Sequence, residues 1–144
     1  MVSRLAMRLI VVLGSLVCAG VAPAQDRIHA FLNDTALQVQ ASESPTQKRE
    51  ILNRRLGAMI QAIDTVQRSA LVSKQDEVGL TRLEANLREK TAELAGTDGF
   101  DPVPDDQLNA FATYAVQDTE QADQTLHISL VTLLLIIIII ILIA

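Results

Sequence analysis

The sequence predicts an all-α protein: a small helical hairpin or three-helix unit, or a coiled coil of the same helices, joined by an acidic Pro/Gly linker to a long helix that ends in one C-terminal transmembrane segment. Three observations lead there. Leu52, Leu56, Met59, Ile63, Val66 and Ala70 recur at alternating spacings of four and three, which aligns them along one side of a helix. Pro45 follows a capping serine at a helix start, and Pro102 and Pro104 stand where a helix cannot continue, so none of the three interrupts the periodic runs. Hydrophobic residues make up 49% of the chain but crowd into its two ends, so the stretch between is an ordinary polar, helix-favouring one.

Residues 1–24 read as a secretory signal peptide. Arg4 and Arg8 make a basic leader, Leu9 to Val21 an apolar core, and Ala22-Pro23-Ala24 a small-x-small cleavage site. The apolar run is shorter than a spanning helix needs, which favours cleavage over an uncleaved anchor. Cys18 follows the β-branched Val17, a poor context for lipidation, and it is the single cysteine. Once the leader is removed the remainder has none, so its stability owes nothing to disulfides.

Residues 25–95 form the expected helical extracytoplasmic unit. Asp26 to Ala41 carries Ile28, Phe31, Leu32, Ala36, Leu37 and Val39, an amphipathic but irregular pattern. Ser44-Pro45-Thr46-Gln47 supplies a capping serine, a first-turn proline and a glutamine placed to reach back. The seam from Leu52 to Ala70 follows and slips at Ser73, after which Leu80, Leu83, Leu87 and Leu94 resume. Ser73 with Asp76 three residues on predicts a new helix start and hence an antiparallel hairpin; a continuous rod with a changed seam is the competing arrangement. Asp26 to Leu94 contains ten acids and ten bases, so this unit is neutral.

The acidic linker, residues 96–105, follows in "AGTDGFDPVPDDQ", where Gly96 suits a left-handed cap and Pro102 and Pro104 stop any helix. Its acids do not fit a calcium loop, which wants them on alternate positions with a closing glutamate. An acidic juxtamembrane helix is expected over 106–125, continuous with a transmembrane helix over 126–144. As a helix the latter spans about 28 Å, near the ~30 Å hydrocarbon core of a bilayer. Thirteen leucines, isoleucines and valines between Leu130 and Ile143 favour insertion by about 5 kcal/mol in total. A soluble alternative, in which this all-round apolar helix is wrapped by the rest of the chain, demands a larger core than the length allows. Removal of the tail in favour of a lipid anchor would need a small-residue site and spacer that the preceding residues supply poorly. The basic leader and an acidic stretch free of Lys and Arg from Asp98 to Gln124 put the helical unit on the extracytoplasmic, periplasmic side of a single-pass cell membrane protein.

Catalytic chemistry has little to stand on. His29 and His127 are the only histidines and lie far apart, with no nucleophile elbow, no phosphate loop and no Cys/His cluster. The sequence therefore predicts no enzyme, no catalytic or metal residue, no cofactor and no small-molecule substrate. Nor does it predict nucleic-acid binding, because Arg54-Arg55 is the one tight basic pair outside the leader. The expectation is a non-catalytic envelope protein, integral to the membrane, that binds, tethers or spaces through the seam Leu52, Leu56, Met59, Ile63, Val66 and Ala70, with a protein partner or a second copy. A membrane-active, oligomerising protein of the pore or lysis type, or a regulator of a membrane enzyme, are the alternatives.

Overall fold

The computed structural model describes residues 24–125 and 128–143. The signal peptide falls outside the described residues except for Ala24, as do Leu126, His127 and Ala144 of the C-terminal segment. All regular structure among the described residues is helical: α1 Ala24–Ala41, α2 Pro45–Arg68, α3 Lys74–Ala95, a 3-10 turn Asp105–Gln107, α4 Leu108–Thr125 and α5 Leu130–Ile143.

Helices α1 to α4 run up and down around a common interior, each packed on its neighbours, with α4 closing back onto α1. Cross-helix bonds give the directions. Arg55 reaches Asp34 at 3.0 Å, Arg49 reaches the Leu94 carbonyl at 3.3 Å, and Asn86 reaches Asp118 at 2.8 Å. The short connections 42–44 and 69–73 make α1, α2 and α3 successive antiparallel neighbours, while the longer segment 96–104 and the 3-10 turn bring α4 back along α3. Val39, Leu52, Ile63, Leu80, Leu87 and Leu108 meet in the interior and are fully buried. Helix α5 lies along α2 and α1.

The hairpin, rather than the rod, is what forms. Helix α2 stops at Arg68, and the Ser73 hydroxyl caps α3 by accepting from the Asp76 amide at 3.1 Å. At the other end of α3, Gly96 takes φ 74° and closes the helix with its amide on the Ala92 carbonyl at 2.8 Å. A Cβ there would stand 2.6 Å from the Pro102 ring nitrogen, so both the backbone angle and the space require glycine. Ser44 does sit at the start of α2 with Pro45 in the first turn, but its side chain makes no capping bond. Gln47 turns instead to accept from the Ser42 hydroxyl at 3.0 Å, so the expected reciprocal box is not built.

Three sequence expectations change. Ala70 is exposed in the turn after α2, because the helix ends two residues before it; the seam's register stops at Val66. The acidic linker is not a free spacer: the Arg49 guanidinium clasps it, bonding Asp105 at 2.8 Å and the Val103 carbonyl. Nor is the juxtamembrane helix a part separate from residues 25–95, as the division at the linker implied. Leu108, Phe111, Ala112, Ala115, Val116 and Thr119 of α4 are buried against α1 and α3.

The fourth difference concerns the tail. None of the described helices is long and apolar enough to cross a membrane. Helix α5 has fourteen residues and does not continue α4, because Ile128 and Ser129 are non-helical between them. Its Thr132, Leu133, Ile136, Ile137 and Ile140 are buried, while Val131, Ile138, Ile141 and Leu142 are exposed. Among the described residues, the bundle covers one face of α5 and leaves the other exposed.

Candidate functional site

Two buried charged groups of α3 carry clusters of polar partners, one joining α3 to the start of α5 and the other joining α3 to α4. The first is centred on Asp76, in the first turn of α3 and only 5% exposed. Its carboxylate accepts from the Ser129 amide at 2.9 Å, the Ser129 hydroxyl at 2.5 Å and the Thr132 hydroxyl at 2.8 Å. Ser129 in turn begins α5, its carbonyl accepting from the Leu133 amide at 3.1 Å. A carboxylate beside the first turns of two helices also sits where their dipoles favour negative charge. The bonds from Ser129 dominate and hold the Asp76 carboxyl below the usual carboxylate range in spite of its burial. Immediately beside it, Gly79 lets Ile128 approach: a Cβ there would lie 2.9 Å from Ile128 Cγ1.

The second cluster is centred on Lys90 of α3, 1% exposed. Its ammonium donates to Glu93 at 2.7 Å and to the Tyr114 hydroxyl at 2.8 Å, and lies 3.2 Å from Asp118 and 4.6 Å from the centre of the Tyr114 ring. Asn86 and Thr119 extend the network around Asp118. Burial alone would push the Lys90 pKa down, but the bonds to Glu93, Tyr114 and Asp118 outweigh it and raise the pKa. Asp118 is held low, first by Asn86 and then by Lys90. This is a satisfied ion cluster that joins α3 to α4, with its donors and acceptors consumed within the fold.

Of the seam residues, Leu52, Leu56, Met59, Ile63 and Val66 are brought together in the interior. The seam is thus the inner face of α2, the helix against which both α3 and α5 pack. Arg54 stays exposed beside an open cleft with Ile143, and Arg55 is taken up by Asp34 and by the Phe31 ring, 4.7 Å from its guanidinium carbon. A further apolar cleft of about 200 Å³, lined by Ile28, Phe31, Ile137, Ile140 and Ile141, separates α1 from α5, so the seat does not close tightly over the helix. No group of three metal-ligating side chains occurs among the described residues.

Sequence reasoning used Asp76 only as the partner of the Ser73 cap and missed that it and Lys90 turn inward, although a signal was present. Asp76, Leu80, Leu83, Leu87, Lys90 and Leu94 follow the same alternation of four and three, so both charges occupy register positions that face inward. The hydroxyls of Ser129 and Thr132 donate to Asp76, a partner more than fifty positions away that no local pattern shows. Compared with known proteins, the chain matches no protein family, no curated protein and no solved structure, so its function has to be argued from these residues.

Proposed function

We propose that this chain is a non-catalytic tether of the cell envelope: a helical bundle exported by its leader and joined to the membrane through the apolar segment that contains α5. The outward face of that helix carries the reading. Val131 is 65% exposed, Ile138 47%, Ile141 67% and Leu142 79%, on a helix with no charged residue from Leu130 to Ile143. Contiguous apolar surface of this kind is kept where a membrane or a protein covers it. A bilayer covers both faces at once, whereas the bundle covers one. With Leu126 to Ala144 helical, the segment would reach about 28 Å, close to the ~30 Å hydrocarbon core. The bundle then supplies the reach and the surface, and α2, through Leu52 to Val66, supplies the interior that keeps it folded.

Ile138→Arg separates membrane attachment from folding. Ile138 points away from the bundle, so arginine there is solvated when α5 is seated, yet at mid-membrane it costs about 2.5–3.5 kcal/mol. Cells producing the full chain should retain the wild type in carbonate-washed membranes and release a large share of Ile138→Arg, with a stop after Gln124 as the complete loss. Retention of both variants in the membrane fraction would refute the tail as the anchor. Wild-type protein found wholly outside the membranes would refute the tether itself.

A further inference from the structure

We infer that Asp76, Ser129 and Thr132 form a latch that holds the apolar C-terminal helix in its groove and must open before that helix enters a bilayer. The inference rests on the membrane reading above and adds to it how the two placements of the helix are kept apart.

The seated and inserted states demand incompatible things of these residues. In the groove, the helix begins at Leu130, with Ile128 and Ser129 outside it and the Ser129 amide and hydroxyl both given to Asp76. At that length α5 measures about 21 Å, short of the ~30 Å hydrocarbon core. Reaching across requires the helix to continue backward through Ser129 and Ile128, and the Ser129 amide must then bond a carbonyl within the helix. Asp76 cannot follow it: the carboxylate lies in α3 and would carry a charge toward hydrocarbon. Its three bonds from Ser129 and Thr132 therefore exist only in the seated state.

The site is built for this one occupant. The Asp76 carboxylate accepts from the Ser129 amide and the Ser129 and Thr132 hydroxyls, all neutral groups at the start of α5, and the Ser73 hydroxyl, which caps the Asp76 amide, adds a weaker bond from within its own turn. Ile128 fits against α3 because position 79 lacks a Cβ. Farther along, the contact between α5 and the bundle is non-directional: buried isoleucines on one side, the cleft beside Phe31 on the other. Entry into lipid would cover the exposed Val131, Ile138, Ile141 and Leu142 but uncover the apolar faces of α1 and α2 on which α5 lies, two large terms of opposite sign. The directional bonds at Asp76 add to the seated side of that balance.

The test uses the full chain without its leader, added to vesicles of phosphatidylcholine and phosphatidylglycerol and separated by flotation, with hydrogen exchange of the α5 amides measured in the absence of lipid. Asp76→Ala should raise the partition into vesicles by about ten- to a hundredfold, the factor expected from losing hydrogen bonds to one charged group. It should also accelerate exchange in α5 relative to α2. Gly79→Ala is the second variant, because it favours the α3 helix while displacing Ile128, and it should act in the same direction with a smaller effect. Either variant binding vesicles like the wild type, with Ile138→Arg still lowering the binding, would overturn the latch and leave the tether reading intact. Faster exchange in α5 with no vesicle binding by any form would overturn both: the bonds would hold the helix, but not against a membrane.

Discussion

Replacing Ile63 by aspartate is expected to unfold the bundle. Ile63 is fully buried on α2, the helix that α1, α3 and α5 all contact. The change removes about 1.5–3 kcal/mol of side-chain burial. It also places a carboxylate inside the apolar core cluster to which Ile63 belongs. Burying such a group without a partner costs several kcal/mol more, even after its pKa rises to neutralise it. Domains are stable by about 5–15 kcal/mol, so the sum consumes most or all of that margin. Far-UV circular dichroism of the full chain should show loss of the cooperative melt. Leu37→Asp is the matching control: Leu37 is 63% exposed on α1, and its replacement should shift the melt little. A wild-type melt for Ile63→Asp would show that the seam does not lie in the interior.

Lys90→Met is expected to destabilise the protein by about 3 kcal/mol, near the lower end of the ~3–5 kcal/mol found when one partner of a buried ion pair is deleted. Methionine matches the length of lysine and keeps its apolar stem in place, but it strands Glu93 and Asp118 facing the Tyr114 hydroxyl with no cation between them. Glu93 and Asp118 are partly open to water, with side chains 18% and 33% exposed, and this solvation keeps the cost from the upper end. Adding Glu93→Gln and Asp118→Asn to Lys90→Met should recover much of the loss, because neutral amides do not repel one another. Urea titration of the three proteins measures it. Equal midpoints for wild type and Lys90→Met would mean that the cluster contributes nothing to the join between α3 and α4.

Much of this architecture was legible before any coordinates. The break after α2 could be placed because Ser73 and Asp76 stand at cap spacing, and the end of α3 because Gly96 precedes two prolines. Such signals are local: they depend on backbone angles and on bonds within one turn. The inward faces of α2 and α3 were legible for a related reason, since leucines separated by polar residues mark which side of a helix faces away from water. Ala70 was misplaced because periodicity alone cannot say where the last turn ends.

Helix α5 resisted this kind of reading. From Leu133 to Ile143 every side chain is leucine or isoleucine, so no position differs enough from its neighbours to mark a buried face. Only packing against α2 and α1 selected Leu133, Ile136, Ile137 and Ile140 for the interior and left Ile138, Ile141 and Leu142 outside. The start of that helix was hidden for a different reason. Ser129 is an unremarkable polar residue until Asp76, more than fifty positions earlier, arrives beside it.

By itself the sequence determined that the protein is helical, where α2 begins and which sides of α2 and α3 are apolar, because these follow from residue chemistry within one or two turns; packing decided between hairpin and rod. Tertiary structure alone decided that α4 folds back to complete the bundle and that Lys90 and Asp76 are buried with partners. It alone also decided that the apolar C-terminal helix has a seat within its own chain. Each of these depends on which distant groups meet. A charge is tolerable inside only when its partners arrive from another helix, and a uniformly apolar helix acquires an inside only when a neighbour covers one of its faces.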